Sequence, residues 1–207
     1  MNTTKTYLLA FVIALGASPL SSLLAIEEAE YTVIAVAEEI EVRDYASSIV
    51  AETLVYEDFE DAGSRAFRKL FNYISGDNEA RDKIAMTSPV SQEKRSEKIA
   101  MTSPVEQRPS GDGWTVSFMM PSSYTMETIP LPTNPDVTIR EIPAYRAAAI
   151  RFSGRWTEKN YFEHLAQLQA WISDSGYEAE GEPIWARYDP PFKPWFMRRN
   201  EILIPIR

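Results

Sequence analysis

Apolar residues recur at three- and four-residue steps in the segment "DFEDAGSRAFRKLFNYIS". This spacing places them on one face of an α-helix. The stripe runs from Phe59 to Ile74, and Gly76 follows as a stop signal. The pattern therefore predicts an amphipathic helix over residues 59–75.

A second segment, "TEKNYFEHLAQLQAWISDSG", shows the same spacing, with Thr157 in place to cap the start of the helix. It predicts a helix over residues 158–174. The two helix segments superpose at an offset of 98 positions, which aligns Phe67 with Leu165 and Tyr73 with Trp171.

Strand-like runs precede and follow each helix. They are "EEIEVRDY", "SSIVAETLVY", "WTVSFMMP", "DVTIREIP", "RAAAIRFSG" and "NEILIPIR". The run "IEVRDY" aligns with "VTIREI" at an offset of 97, so the order of elements repeats as well. We predict one α+β domain from about residue 32 to residue 207. It is built from two pseudo-symmetric strand–helix–strand–strand halves, with a ligand-binding cleft where they meet.

The octapeptide "KIAMTSPV" occurs twice, at residues 83–90 and 98–105. Each copy alternates its side chains and then reaches a proline that cannot donate to a ladder, so each is interpreted as a short strand entering a turn. We expect one copy to complete the sheet while the polar "SQEKRSE" between the copies forms an exposed excursion. The role of the duplication stays open.

The charge balance limits the classes of partner. The chain has 30 acidic and 21 basic residues, for a formal net charge of -9, which repels nucleic-acid phosphates and anionic lipid. We expect no nucleic-acid partner, and a monomer. Because the chain has no cysteine and one histidine, disulfides, thiolate nucleophiles, iron–sulfur clusters and multi-histidine metal centres are excluded.

The N-terminus has the order of a secretory signal. Lys5 precedes the apolar run "YLLAFVIALGASPL", and small residues up to Ala25 follow before the acidic "EEAE". We expect residues 1–25 to be a signal peptide or an N-terminal anchor, and residues 26–207 to form the domain. The protein would then be exported, periplasmic or secreted, or held at a membrane through an uncleaved N-terminal segment.

Several motifs resemble the SOUL family of heme-binding proteins, from about residue 30 to the end of the chain. They are "KIAMTSPV", "GWTVSFMMPSSYTMETIPLP", "VTIREIP", "AIRFSGRWTE" and "RYDPPFKPWFMRRNEI". The resemblance implies a distorted antiparallel β-barrel flanked by two helices, which is also likened to the gyrase-inhibitor-like fold. It further implies non-covalent binding of heme or another tetrapyrrole on a shallow hydrophobic surface.

In the family, that surface is formed by the first helix and the loop before the last strand. The resemblance therefore implies a porphyrin between residues 59–75 and residues 188–195, with apolar side chains against its faces and cations near its propionates. The expected site residues are Arg65, Phe67, Arg68, Leu70, Phe71, Tyr188, Phe192, Lys193 and Trp195.

An axial iron ligand is not evident. In the family member for which an axial histidine has been proposed, it precedes the tyrosine of the first-strand motif, and Asp44 stands there in "VRDY". His164 is a weak candidate, because its spacing also fits a packed histidine with one hydrogen bond. Met86 and Met101 offer thioethers but fit core packing better.

Three functions stay open at this point. The leading one is a non-catalytic tetrapyrrole carrier or buffer, and the second is a binding module for another flat hydrophobic molecule. The third is an enzyme acting on tetrapyrroles or lipids, which receives no support from the G-x-S-x-G, H-E-x-x-H or phosphate-loop motifs, since none is present. We expect no catalysis.

Overall fold

The computed structural model describes residues 26–81 and 95–207. The signal-or-anchor segment and the first copy of the octapeptide lie outside these residues. Within them, neither helix has both the length and the hydrophobicity that a membrane span requires.

The described chain forms thirteen strands, two α-helices and one 3-10 turn. The helices are α1 (Phe59–Ser75) and α2 (Glu158–Ser175), and the 3-10 turn is Trp195–Met197. The strands are β1 (Glu27–Glu28), β2 (Tyr31–Ala37), β3 (Ile40–Tyr45), β4 (Ser48–Val55), β5 (Asn78–Glu79), β6 (Thr102–Ser103), β7 (Val105–Ser110), β8 (Gly113–Met119), β9 (Leu131–Pro132), β10 (Thr138–Ile142), β11 (Tyr145–Phe152), β12 (Ile184–Arg187) and β13 (Asn200–Pro205).

Nine strands form one antiparallel sheet in the order β10-β4-β8-β7-β12-β13-β11-β3-β2. The sheet curls as a half-barrel, with α1 packed on β4 and β8 and α2 packed on β11 and β13. The predicted α+β class, an antiparallel barrel-like sheet flanked by two helices, is confirmed.

The sheet order also shows the predicted internal symmetry. The unit β4–α1–β7–β8 repeats as β11–α2–β12–β13, and the two units meet at the β7–β12 pair. The leading strands are exchanged between the halves: β3 pairs with β11, and β10 pairs with β4. This exchange joins the halves into one sheet.

The helix boundaries follow the sequence signals. Helix α1 ends at Gly76, whose φ of +128° is a conformation that favours glycine. Helix α2 begins at Thr157, whose side chain accepts a hydrogen bond from Asn160 N at 3.3 Å, so the predicted cap is confirmed. It ends one residue beyond the predicted position.

Each helix buries its apolar stripe against the sheet. Ala62, Ala66 and Leu70 of α1 have no exposed surface, and neither does Leu168 of α2. These contacts fill two cores on the helical side of the sheet. A smaller cluster around Tyr45, Ala149 and Leu203 lies on the opposite face of the sheet, which leaves room there for a cleft.

The second copy of the octapeptide forms less strand than predicted. Before its proline only Thr102–Ser103 is a strand, β6, and it pairs in parallel with β1. Upstream, Ile99 is buried and its N–H donates to Ile74 O at 2.8 Å, so this part ties the chain to the end of α1. The Ser103–Pro104 peptide bond is cis, and Val105 then opens β7.

Candidate ligand-binding site

Helix α1 presents two phenylalanine rings away from the core. Phe67 is 38% exposed and Phe71 is 47% exposed. Their rings stack with centroids 5.7 Å apart and an angle of 13° between the planes, and Phe67 meets the buried Phe118 ring edge-on at 5.2 Å. Because exposed aromatic patches commonly mark binding surfaces, we call Phe67 and Phe71 the helix shelf.

Leu70 does not belong to this shelf. It was predicted as a pocket residue, but its side chain is 0% exposed and packs into the core beneath α1. The reason is the 3.6-residue period: Leu70 shares the inward face with Ala66 and Tyr73, whereas Phe67 and Phe71 lie about 60° and 100° round the helix from Leu70, on its other side. Leu70 holds the helix to the sheet.

The two arginines of α1 predicted to meet propionates differ in their partners. Arg65 Nε pairs with Glu57 Oε1 at 2.9 Å. Arg68 is exposed, and the structure gives it no ion-pair partner among the residues it describes. Arg68 is therefore the freer cation of the two.

A third arginine approaches α1 from below and has no predicted role. A Cβ added at Gly63 would lie 2.4 Å from Nη1 of Arg187, the last residue of β12. Within the described chain Arg187 has no carboxylate partner; its Nη2 donates to Gln107 Oε1 at 3.3 Å, and its buried Nε has no hydrogen-bond partner. Burial lowers the pKa of Arg187 to about 10, which leaves it cationic at neutral pH.

The loop before the last strand is held by its own polar contacts. Asp189 accepts hydrogen bonds from Lys193 Nζ and from Arg199 N, both at 2.6 Å. Arg198 Nε donates to Lys193 O at 2.8 Å. We call residues 189–199 the aromatic loop. Lys193, predicted to meet a propionate, is already paired.

The apolar side chains of the aromatic loop are largely exposed. Phe192 is 86% exposed, and Trp195 is also exposed, with the Arg155 guanidinium carbon 5.5 Å from the centre of its ring. Phe196 and Met197 are exposed beside them. Phe196 and Met197 were not among the predicted site residues, although they stand in the apolar run "PWFM" of the same loop.

Tyr188 is held in a polar network beside the aromatic loop. Its hydroxyl donates to Glu201 Oε2 at 3.0 Å, and the guanidinium carbon of Arg199, the last residue of the loop, lies 3.6 Å from the centre of its ring. Burial raises the pKa of Tyr188, and the nearby Glu201 carboxylate raises it further. Tyr188 was predicted to offer a flat face to a ligand, but in the structure Arg199 already lies over that ring.

The helix shelf and the aromatic loop have separate ring contacts, but helix α1 and the aromatic loop both border the same group of arginine and tryptophan side chains. Gly63 of α1 lies against Arg187, whose guanidinium carbon is 5.5 Å from the centre of the Trp156 ring. Arg198 of the aromatic loop lies 4.4 Å from the centre of the same ring. Trp156 is fixed by donating from Nε1 to Asn200 Oδ1 at 2.8 Å. The two predicted parts of the site therefore border one arginine–tryptophan stack.

His164 has the surroundings of a packed histidine. Its Nδ1 lies 2.7 Å from Asn160 O, and its ring stacks on Phe152 with centroids 3.9 Å apart. Asp44, which stands where a relative has been proposed to supply an axial histidine, pairs with Arg146 at 2.7 Å. Across residues 26–81 and 95–207 no cluster of His, Asp or Glu side chains could hold a metal ion.

The family model described as "SOUL heme-binding protein" matches residues 26–205. The chain belongs to the SOUL heme-binding protein family. Curated relatives include "Heme-binding protein 1" of Xenopus tropicalis, 28% identical over 148 residues, and of Mus musculus, 28% identical over 149 residues. The alignment covers 70% of this chain and 70% of the frog protein, and 69% and 70% for the mouse protein.

Solved structures share the fold at lower identity. The C-terminal domain of EcmrR is 13% identical with a TM-score of 0.54, and the match covers 86% of this chain and 98% of that domain. An uncharacterized conserved protein from Listeria innocua is 11% identical with a TM-score of 0.57, covering 84% of this chain and 94% of that one. At these identities the matches show a shared fold and nothing more.

Proposed function

We propose that this SOUL family member binds heme or a related tetrapyrrole non-covalently, as a carrier or buffer without catalysis. The observation that carries the proposal is the helix shelf, where stacked Phe67 and Phe71 rings stay exposed in the middle of an otherwise well-packed helix. A porphyrin is flat and apolar, so it can cover both rings together.

The surroundings of the shelf fit the charge of a heme. Arg68 has no ion-pair partner among the described residues, and Arg187, which lies against Gly63 of the same helix, has a buried Nε and no carboxylate partner among them. Propionates need such cations, and hydrogen bonds to charged groups contribute about 1.5–3 kcal/mol each when partly buried. Heme when bound would supply the chromophore and the iron; the chain supplies the apolar shelf and the cations.

Affinity would come from apolar contact instead of iron ligation. The ring of the lone histidine is stacked on Phe152, with Nδ1 held at a backbone oxygen. Burying flat apolar surface contributes roughly 25 cal/mol per Å², so a covered area of a few hundred Å² gives useful affinity without an axial bond. Phe192, Trp195 and Phe196 of the aromatic loop can extend the covered area.

Export completes the proposal. Its support is the order of charge, apolar run and small residues over positions 1–25. Fractionation that finds the full-length chain free in the cytoplasm would contradict export, and mass spectrometry of the mature N-terminus would distinguish cleavage from anchoring.

Titration of the full chain with hemin tests the binding. We expect a shifted Soret band that saturates at one equivalent. A slow loss of the chromophore or release of product would mean that the protein is an enzyme. A spectrum identical to that of free hemin would exclude heme and favour another flat hydrophobic ligand.

A further inference from the structure

A cleft of about 620 Å³ opens on the face of the sheet opposite the helices, at the end where the β3–β4 and β10–β11 turns meet. Both halves of the chain contribute to its lining, with Tyr45 and Val50 from the first half and Ile142 and Tyr145 from the second. The volume is that of a small-molecule site. The helix shelf is not part of it.

The charged residues that line this cleft have one sign. Among the described residues its lining includes no lysine, arginine or histidine, but it includes six glutamates: Glu27, Glu28, Glu30, Glu106, Glu127 and Glu141. Glu28 pairs with Arg199 at 2.7 Å. The structure gives the other five no ion-pair partner in the part of the chain that it describes.

Glu106 is the innermost of these carboxylates. It extends from β7, at the centre of the sheet where the two halves join. The two nearest arginines, Arg108 and Arg140, both pair with Glu52, at 2.8 and 3.0 Å. Ser117 is its hydrogen-bond donor. Glu106 is therefore a partly buried carboxyl that has no ion-pair partner among the residues the structure describes.

Aromatic faces lie next to this carboxyl. Tyr45 and Tyr145 stack with ring centroids 5.1 Å apart and planes within 10° of parallel, and Tyr31 packs against Tyr45 at 5.2 Å. Both rings of the stacked pair line the cleft. A carboxylate beside tyrosine faces attracts organic cations, because the ion pair and the ring quadrupoles act in the same direction.

We propose that this cleft is a second ligand site, separate from the heme surface, that binds a small organic cation with an aromatic or apolar body. Glu106 pairs with the positive charge, the stacked tyrosines contact the apolar body, and Met119 and Met120 adapt to its shape. A heme dianion is repelled from the same cleft, which keeps the two ligands apart.

Calorimetric titration of the full chain with benzyltrimethylammonium tests the proposal. We expect saturable binding that weakens with added salt, and no binding of neopentylbenzene, its uncharged carbon isostere. Glu106→Gln keeps the size of the side chain and should weaken binding of the cation about tenfold. Glu182→Gln, an exposed substitution outside this cleft, is the matched control and should leave binding unchanged.

Three results would overturn the proposal. The first is equal binding of the charged and uncharged probes, which would make the cleft merely apolar. The second is binding of the cation that Glu106→Gln does not weaken, and the third is no binding of the cation at millimolar concentration. Hemin titration of the same variant separates the two sites: we expect Glu106→Gln to leave the Soret titration unchanged, so failure of either site is visible on its own.

Discussion

Gly63 of α1 lies directly over Arg187 of β12, so close that an added Cβ would be 2.4 Å from Nη1. The Arg187 guanidinium carbon is also 5.0 Å from the centre of the Trp185 ring and 5.5 Å from that of Trp156. The absence of a side chain at Gly63 is therefore what allows a cation to sit beneath the helix.

A double-mutant cycle tests this relationship. Gly-to-Ala inside a helix normally stabilises by about 1 kcal/mol, but Gly63→Ala should destabilise by about 1–2 kcal/mol because the packed guanidinium must shift. In an Arg187→Ala background the same substitution should become stabilising. Urea unfolding measures the free energy of unfolding of all four proteins in the cycle. Equal effects of Gly63→Ala in both backgrounds would show that the contact is not the cause.

The helix shelf is tested at an exposed position, so that folding is not at issue. Phe71→Ala should weaken hemin binding about tenfold, because it removes half of the stacked pair that a porphyrin would cover. Leu54→Ala is the control: Leu54 is 40% exposed, but it alternates to the opposite face of β4 from α1. Soret titrations of both variants give the comparison. Equal loss in the two would argue against the shelf.

His164→Ala should leave hemin binding within twofold of the unchanged chain. The reason is that the histidine ring is already stacked on Phe152 and hydrogen-bonded through Nδ1 to Asn160 O. The substitution should lower the free energy of unfolding by about 1 kcal/mol, because the packing on Phe152 and the hydrogen bond are lost. Loss of the Soret shift in a variant that remains folded would identify His164 as the axial ligand.

The two helices and the internal symmetry were predictable, because a stripe from Phe59 to Ile74 and its counterpart from Tyr161 to Ile172 can be buried only by a helix. The sequence placed Phe67, Leu70 and Phe71 on one apolar face, and the structure divides them: Leu70 is buried in the core, whereas Phe67 and Phe71 stay partly exposed.

Other features depend on contacts between distant parts of the chain. Arg187 and Gly63 are 124 positions apart (187 − 63), and nothing local in either segment indicates their contact. The acidic cleft likewise gathers glutamates from β1, β7, β10 and the segment after β8. Such groupings follow from the exchange of β3 and β10 between the halves, which strand patterns alone do not reveal.

A buried ion pair links the two ends of the domain sequence. Arg43 of β3 donates from Nη1 to Glu201 Oε2 of β13 at 2.6 Å, and both side chains are buried. Arg43→Met should destabilise by about 3 kcal/mol, because Glu201 loses one of its two arginine partners without access to water. Arg146→Met breaks the exposed pair with Asp44 and should change urea unfolding little. Similar losses of stability in Arg43→Met and Arg146→Met would show that burial of the ion pair does not determine its contribution.

Glu106→Gln should raise stability at neutral pH. Burial raises the pKa of Glu106 above that of an unfolded chain, although Arg108, a hydrogen bond from Ser117 and Arg140 act in the opposite direction. An acid whose pKa is higher in the folded state favours folding when it is protonated. Ionising Glu106 therefore lowers the free energy of unfolding. This loss of stability is complete above the folded-state pKa and disappears below the unfolded-state pKa of about 4.3. The charged and titratable groups that face Glu106 are Arg108, Arg140, Tyr45 and Tyr145.

The measurement is the thermal midpoint of Glu106→Gln and of the unchanged chain across acid and neutral pH. The midpoint of the variant should exceed that of the unchanged chain at pH 7, and the two should converge as the pH falls to about 4. Glu182→Gln, which is exposed and outside the cleft, should show no such pH-dependent difference in thermal midpoint from the unchanged chain. A ligand cation paired with Glu106 would remove the cost at pH 7, so benzyltrimethylammonium should raise the midpoint of the unchanged chain more than that of Glu106→Gln. If Glu106→Gln is less stable than the unchanged chain at pH 7, the Glu106 carboxylate stabilises the fold through Arg108 and Arg140, which would contradict a role in binding a ligand cation.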